Sequence, residues 1–102
     1  MLGKIYIITN TKNDLVYVGS TTQSLHDRWW GHYRESKVKQ CRFYRAIREI
    51  GWKHFNMKLL ETIEYEEKSQ LWQLEAQYIT KYNSINNGYN SIYPIKLGVS
   101  AP

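Results

Sequence analysis

The sequence lacks the features that define disulfide-stabilised, secreted and membrane-spanning proteins. Its single cysteine, Cys41, has no partner for an internal disulfide, so a reducing, intracellular compartment is expected. No apolar run approaches the length needed to cross a bilayer. Residues 1–20 also lack the uninterrupted apolar centre of a secretory signal peptide. We therefore expect no membrane partner.

Several common catalytic motifs are missing as well. The chain has no cluster of Cys and His residues with zinc-like spacing, no glycine-rich phosphate loop and no Ser-centred nucleophile motif. What remains is basic and aromatic: the net charge is +5, the pI is near 9.4, and 15% of the residues are Phe, Trp or Tyr. The charge is a weak indication of a polyanionic partner. The rings either fill a small core or include hydroxyls that do chemistry, and composition leaves both open.

The 102 residues suffice for one domain with a modest core. Apolar periodicity and turn signals predict strands over residues 4–9, 15–19 and 55–63 and helices over residues 24–34, 42–50 and 66–82. Ser24 is a predicted helix cap, Gly51 a predicted helix stop, and Gly19 is expected to end the first strand pairing. The order β-β-α-α-β-α predicts an α+β fold with a small three-stranded antiparallel sheet flanked by helices. We place the domain at residues 1–95 and a flexible tail at residues 96–102.

Glu75 is the clearest departure from the apolar pattern of the third predicted helix. Its neighbours on or beside the inward stripe are Leu71, Leu74, Tyr78 and Ile79. A carboxylate there must be paired, neutralised or bound to a metal ion. A half-exposed Glu at the edge of the stripe is the alternative that the helix leaves open.

Four other residues are candidates for chemistry. Tyr6 and Tyr17 lie centrally in neighbouring predicted strands, while Arg28 and His32 are four residues apart on one helix face. Each has an ordinary alternative, either a strand Tyr with a solvated hydroxyl or a pair of basic surface side chains. Spacing alone does not decide between the two interpretations.

Taken in order, these residues resemble the GIY-YIG nuclease family. Lys4-Ile5-Tyr6 stands in place of its Gly-Ile-Tyr element, and Tyr17-Val18-Gly19 in place of its Tyr-Ile-Gly element. The other matching elements are Arg28 with His32 on the first helix, Glu75 on the third, and Gly88-Tyr89-Asn90 near the end. The resemblance runs from residue 4 to about residue 93 and is closest to the catalytic domains of phage intron-encoded homing endonucleases.

The resemblance implies a divalent-metal-dependent endonuclease that hydrolyses DNA phosphodiester bonds. It implies one Mg²⁺ (or Mn²⁺) ion held by Glu75, with catalytic roles for Tyr6, Tyr17, Arg28, His32 and Asn90. We favour Tyr6 as general base with Tyr17 as its hydrogen-bonded support, and Arg28 as the ligand of non-bridging phosphate oxygens. We expect His32 to relay the proton or contact phosphate, and Asn90 to orient the site. The expected location is the cytoplasm or nucleus, in a host cell if a phage or virus encodes the protein.

Departures from the family pattern concern proton handling. Ser20 stands where bacterial repair members have Lys, and residues 37–42 lack the second His of some homing members. The basic residues predicted to contact the DNA backbone are Lys37, Lys39, Arg42, Arg45 and Arg48. Because homing members carry a separate DNA-binding domain, a further domain or partner would supply specificity. The alternatives are an inactive DNA-binding module of the same fold and a protein-interaction domain with a coincidentally similar sequence.

Overall fold

The computed structural model of the chain describes residues 1–91. Its sheet has three antiparallel strands in the order β2-β1-β3, with β1 spanning Leu2–Asn10, β2 spanning Tyr17–Thr21 and β3 spanning Phe55–Glu64. The β1–β2 pair is the predicted hairpin, and β2 is an edge strand. The predicted domain end at residue 95 and the predicted tail at residues 96–102 lie outside the described residues.

Among the described residues, three helices cover the sheet, in the predicted chain order. They are α1 (Leu25–Glu35), α2 (Arg42–Ile50) and α3 (Lys68–Tyr82), and a short 3-10 turn at Trp52–His54 leads from α2 into β3. Ser24 caps α1 as expected, since its hydroxyl accepts a hydrogen bond of 3.0 Å from the Asp27 N–H. Gly51 ends α2 with φ = 109°, a backbone conformation that favours glycine. The predicted α+β fold is confirmed.

Three local predictions were wrong. Strand β2 lies two residues later than expected, and Gly19 does not end its pairing, because the pairing continues to Thr21. Helix α3 begins at Lys68, not at residue 66, because the side chain of Gln70 accepts the N–H groups of Glu66 and Glu67 and so caps the helix there.

The imperfect alternation of β3 also has a structural cause. Ile5 pairs with Glu61 while the next residue, Tyr6, pairs with Leu59, so β3 carries one extra residue, Leu60. An inserted residue of this kind is a β-bulge, which shifts the side chains on either side of it out of phase. The sequence pattern of β3 therefore reads as irregular although the strand is continuous.

Alternation along β1 builds two cores, one on each face of the sheet. Ile5 and Ile7 pack toward α3, in a cluster whose buried members also include Val18, Leu71 and Ile79. Tyr6 and Ile8 face the other way. They pack in a cluster with Phe43, Tyr44 and Ile47 of α2, with Phe55 of β3 and with Tyr89. Within residues 1–91 no helix is both long and apolar enough to cross a membrane.

Candidate active site at the edge strand

The hydroxyl of Tyr6 lies at the inner end of a buried polar network. Tyr6 is 1% exposed, and its oxygen lies 2.6 Å from Nε2 of His32 on α1. Tyr17 lies on the same face of the sheet, with its ring centroid 6.5 Å from that of Tyr6 and its ring stacked on Phe43 at 4.2 Å. The hydrogen-bonded support of Tyr6 is thus His32 and not Tyr17 as we favoured from the sequence.

Gly19 makes room for Tyr6. The two residues are directly opposite each other in the β1–β2 pair. A Cβ built at position 19 would lie 2.5 Å from Cζ of the Tyr6 ring, which is closer than two carbon atoms can approach. Gly19 therefore admits a close neighbour, as the sequence suggested, and that neighbour is the Tyr6 ring.

His32 connects Tyr6 to a second tyrosine and then to a carboxylate. It is fully buried, and its Nδ1 lies 2.9 Å from the Tyr44 hydroxyl. That hydroxyl in turn donates a 2.5 Å hydrogen bond to Oε1 of Glu35, at the end of α1. The four side chains form one continuous path from the core to a carboxylate that is 33% exposed.

Burial sets the protonation states of this network. It raises the pKa of Tyr6 to about 12, although the charge of Arg28 and a hydrogen bond from it act in the opposite direction. Burial also raises the pKa of Tyr17 well above its usual range, with further contributions from the Tyr6 and Tyr44 hydroxyls. Burial and the charge of Arg28 lower the pKa of His32 to about 3. At neutral pH the ring of His32 is uncharged and both tyrosines keep their protons.

Arg28 is the cation of the site. Its side chain is 25% exposed, and its Nη1 lies 3.7 Å from Oε1 of Glu35. Its charge also offsets part of the rise that burial causes in the pKa of Tyr6 and of Glu75, so it acts on both groups. A guanidinium placed in this way can still present N–H donors to a phosphate.

Glu75 reaches the site from α3, on the other face of the sheet. It is 9% exposed, and its Oε1 accepts a 2.5 Å hydrogen bond from the Ser20 hydroxyl on β2. Burial raises the pKa of Glu75, while the bond from Ser20 and the charge of Arg28 act to lower it. Because Ser20 and Gly19 are consecutive on β2, Tyr6 and Glu75 lie on opposite faces of the same edge strand.

The donor set fits a hydrated divalent cation better than a dehydrated one. Within residues 1–91 no group of three or more His, Cys, Asp or Glu side chains is placed to hold a metal. Glu75 offers a single carboxylate, with one oxygen bound to Ser20 and no hydrogen bond at the other among these residues. Mg²⁺ retains several waters and binds through one or two carboxylates and substrate phosphate, which matches this set. A structural zinc site would need more protein ligands.

Asn90 acts on the backbone of β2. Its Oδ1 accepts from the N–H of Val18 and its Nδ2 donates to the carbonyl of Val18, both at 2.8 Å. The Tyr89 N–H adds a 2.8 Å bond to the carbonyl of Val16. Asn90 thus fixes the strand that carries Tyr17 and Gly19, and its orienting role in catalysis stays a prediction.

The five basic residues predicted to contact DNA differ in what they bind within the protein. Arg42 donates to the carbonyls of Ile85 and Asn90, and Arg48 to those of Ser36 and Lys39. The remaining three are more available: Lys37 lies 4.6 Å above the Tyr33 ring, Lys39 is 3.7 Å from Glu35, and Arg45 is exposed. DNA contact stays a prediction for all five, with a structural role added for Arg42 and Arg48.

Sequence reasoning missed three members of the site: Glu35, Tyr44 and Ser20. One signal was available, since Arg28, His32 and Glu35 are separated by four and three residues and so share a stripe of α1. Tyr44 and Ser20 gave no such signal. Their roles depend on contacts with residues that are 9 and 55 positions away in the chain.

The sequence matches the GIY-YIG catalytic domain family over residues 2–90. The chain belongs to the GIY-YIG family. This GIY-YIG domain is similar in structure to the catalytic domain of homing endonuclease I-TevI, with a TM-score of 0.75 at 31% identity, over 88% of this chain and 98% of that one. A point mutant of the I-TevI catalytic domain gives a TM-score of 0.80 at 32% identity, over 93% and 98% of the two chains.

Curated relatives of the GIY-YIG domain come from a phage and a virus. It is 37% identical over 93 residues to intron-associated endonuclease 1 of Enterobacteria phage T4, covering 88% of this chain and 37% of the relative. It is 36% identical over 92 residues to uncharacterized protein 019R of Invertebrate iridescent virus 6, covering 87% and 33%. The chain therefore spans between a third and two-fifths of the length of these relatives.

Proposed function

We propose that this GIY-YIG domain is a divalent-metal-dependent endonuclease that hydrolyses phosphodiester bonds of DNA. The observation that carries the proposal is that the hydrogen-bonded Tyr6–His32 pair and the Glu75 carboxylate lie against the two faces of β2, while the charge of Arg28 acts on both Tyr6 and Glu75. Three different elements, β1, α1 and α3, contribute these groups, so a purely structural explanation would need a separate reason for each. Membership of a family that includes catalytic domains of endonucleases supports the same conclusion.

Each residue of the site has a separate proposed role in hydrolysis. The reaction needs a nucleophilic water, stabilisation of the charge that builds on the phosphate, and protonation of the leaving oxygen. Tyr6 is the proposed general base, because its hydroxyl is already hydrogen bonded to Nε2 of His32, a nitrogen that can accept its proton when the ring proton is on Nδ1. Arg28 binds the non-bridging oxygens of the phosphate, and Asn90 and Tyr17 hold the geometry of the strand and its neighbouring ring.

Glu75 is the proposed ligand of a single Mg²⁺ or Mn²⁺ ion. The bound ion would supply charge stabilisation at the phosphate and lower the pKa of a coordinated water. Ser20 orients the carboxylate by donating to Oε1. A nearby cation would also favour the charged form of Glu75, which burial disfavours.

The proposed substrate is DNA, held by charge rather than by sequence readout. The chain carries a net charge of +5, and Arg45, Lys37 and Lys39 are exposed cations near α2. Contacts to phosphates position a duplex without reading its sequence. We propose that specificity comes from a further domain or a partner, and that the protein acts inside a cell, in a host if it is of phage or viral origin.

The second candidate is an inactive DNA-binding module of the same fold. Under that hypothesis the Tyr6–His32 bond and the Ser20–Glu75 bond are remnants, and metal has no effect on DNA. Cleavage of a panel of duplex, branched and single-stranded DNA, with Mg²⁺ and with chelator, separates the two. Mg²⁺-dependent cutting of any member supports the nuclease, whereas binding without cutting of every member supports the inactive module.

Glu75→Ala tests the metal assignment within that panel. We expect metal-dependent cleavage to be lost while DNA binding is unchanged or slightly tighter, because a carboxylate that repels phosphate has been removed. Glu49→Ala, at an exposed carboxylate of α2, is the matched control and should cut normally. Mg²⁺-dependent cutting by a folded Glu75→Ala variant would show that the metal is held elsewhere. If Glu75→Ala does not fold, Glu75→Gln replaces it.

A further inference from the structure

We propose that Tyr44 and Glu35 are positioning residues of the reaction, which hold His32 in the tautomer that can accept the proton of Tyr6. This inference rests on the proposed nuclease function and deepens it by two residues outside the family elements quoted above. Tyr44 lies on α2 and Glu35 at the end of α1, and neither touches Tyr6. They act through His32, which is fully buried between them and Tyr6.

The carboxylate at one end determines the direction of every hydrogen bond in the network. An ionised Glu35 can only accept, so the Tyr44 O–H must donate to its Oε1 in their 2.5 Å contact. The single hydroxyl proton of Tyr44 is then used. Its oxygen can therefore only accept at the 2.9 Å contact with His32, which places a proton on Nδ1.

The other ring nitrogen follows from the same reasoning. A neutral imidazole has one N–H, and if that proton is on Nδ1, then Nε2 carries a free lone pair. Nε2 accepts the O–H of Tyr6 at 2.6 Å. The low pKa of His32, about 3, agrees with a ring that carries one proton at neutral pH.

Glu35 is held in the charged form that this arrangement requires. Burial opposes its charge, but the hydrogen bond from Tyr44 and the charges of Arg28 and Lys39 outweigh it and hold the pKa of Glu35 below its usual value. Arg28 and Lys39 each lie 3.7 Å from one of its oxygens. The polarity of the network is thus maintained across the neutral pH range.

The proton transfer balances along this path. Before Tyr6 can take a proton from water, it must lose its own. Its O–H bond therefore breaks and an Nε2–H bond forms on His32. The Nδ1–H bond then breaks as Tyr44 gains that proton, and the original Tyr44 O–H bond breaks as Glu35 becomes protonated. Negative charge moves from Glu35 to Tyr6, and Arg28 interacts with both. Once Tyr6 has passed the proton of the water to the leaving oxygen, the same transfers run in reverse from Glu35 to Tyr6 and restore the proton on Nδ1.

The opposite tautomer would disable Tyr6. With a proton on Nε2, His32 would donate to the Tyr6 oxygen and could not remove its proton. A histidine in the wrong tautomer can cost several orders of magnitude in rate although its position is unchanged. Tyr44 and Glu35 therefore contribute to catalysis without touching DNA or the nucleophile.

Nitrogen NMR of the His32 ring tests the proposal directly. In ¹⁵N-labelled wild type we expect a protonated Nδ1 and an unprotonated Nε2 at pH 7. Tyr44→Phe removes the acceptor of Nδ1, and Glu35→Ala frees Tyr44 to donate to Nδ1, so both variants should show protonated Nε2. The Glu35→Ala result is the sharper one, because Glu35 does not contact the ring.

Activity provides the second readout. We expect kcat to fall roughly 10- to 1,000-fold in Tyr44→Phe and Glu35→Ala, with little change in KM for the same DNA, because the affected step follows binding. Tyr78→Phe is the matched control: Tyr78 also donates to a glutamate, Glu61, at 2.6 Å, and it should keep both the wild-type tautomer and the wild-type rate.

Two results would overturn the proposal. One is protonated Nε2 in the wild type, and the other is an unchanged tautomer or unchanged kcat in both variants. If Tyr44→Phe does not fold, Glu35→Ala alone decides, since Glu35 is at the surface end of the network. Failure of the proposed function is distinguishable, because a wild type that cuts no DNA can still show the expected tautomer.

Discussion

The ring of Tyr6 lies across the backbone of Gly19, its cross-strand partner, in the space that any side chain at position 19 would occupy. The hydroxyl at the end of that ring is the one that bonds to His32. The last residue of one family element therefore determines where the proposed general base of the other can lie. The two elements are a single structural unit, although 12 residues separate Tyr6 from Gly19.

Gly19→Ala should damage both activity and stability. The new methyl would overlap the Tyr6 ring, which has no free space because Tyr6 is almost fully buried. Forcing an extra carbon into a packed core costs about 1–3 kcal/mol of unfolding free energy. We expect the Tyr6–His32 bond to break and cleavage to fall by about 10²-fold or more. Denaturant unfolding and a cleavage assay check both parts, and an unaffected rate would show that the Tyr6 hydroxyl need not touch His32.

Asn90→Ala should lower stability more than it changes DNA affinity. The substitution leaves both the N–H and the carbonyl of Val18 without their partner in a buried position. Unpaired buried groups cost about 1–3 kcal/mol each, although water entering at the edge would offset part of that. Chemical denaturation of the variant measures the loss. A loss below about 0.5 kcal/mol would show that the amide does not hold the edge strand.

Arg45 and Arg48, three residues apart on α2, should separate DNA binding from stability. Arg45 is exposed, and its side chain makes no hydrogen bond or ion pair within residues 1–91, so Arg45→Ala should leave stability within about 0.5 kcal/mol. It should weaken binding to unrelated duplexes and reduce the salt slope by about one. Arg48→Ala should cost about 1–2 kcal/mol of stability, because Arg48 ties the carbonyls of Ser36 and Lys39 to α2. Equal effects of the two variants on both measurements would contradict this division.

The free energy of unfolding should decrease as the pH is lowered from 7 to 5, and His32 should account for most of the change. The pKa of His32 is lowered from 6.5 to about 3 in the folded state, so in this window the unfolded chain binds more protons. The contribution is present above the unfolded pKa and is lost as pH falls, by about 2 kcal/mol between pH 7 and pH 5. Glu75, whose pKa is raised, contributes in the opposite direction just above its unfolded value.

His32→Gln provides the control for that pH dependence. Glutamine does not titrate, so the unfolding free energy of the variant should change far less between pH 7 and pH 5 than that of the wild type. Thermal or urea unfolding of both proteins at the two pH values is sufficient. An identical slope in the two proteins would mean that His32 is not the titrating group.

The fold could be predicted from the sequence because its signals are local. Helix α2 agrees with its predicted bounds at both ends, since the apolar pattern begins near Arg42 and Gly51 stops it. Strand β2 was placed two residues too early because Leu15 and Val16 are as strand-like as the residues that follow. Nothing in the local sequence shows that β1 pairs with Tyr17 and not with Leu15.

Only part of the candidate site could be predicted from the sequence. Tyr6, Arg28 and Glu75 stood out from the apolar pattern or matched a family element. The structure brings Tyr6 and Glu75 to one strand, and the charge of Arg28 acts on both. Tyr44 and Ser20 did not stand out, because their importance lies in pairs formed across the fold. The direction of each hydrogen bond in such a chain depends on all its members together, so no single residue could have revealed it.

The amide of Asn90 also has a consequence for how this protein behaves among other molecules. A sheet that ends in an open strand invites another chain to pair with it, which is a common route to aggregation. Here one side chain saturates both backbone groups of Val18, as a neighbouring strand would. The edge of β2 that carries the candidate site is thereby closed to sheet extension at Val18 without the addition of a fourth strand. A single side chain protects the backbone there and leaves the surface beside Ser20 open to a substrate.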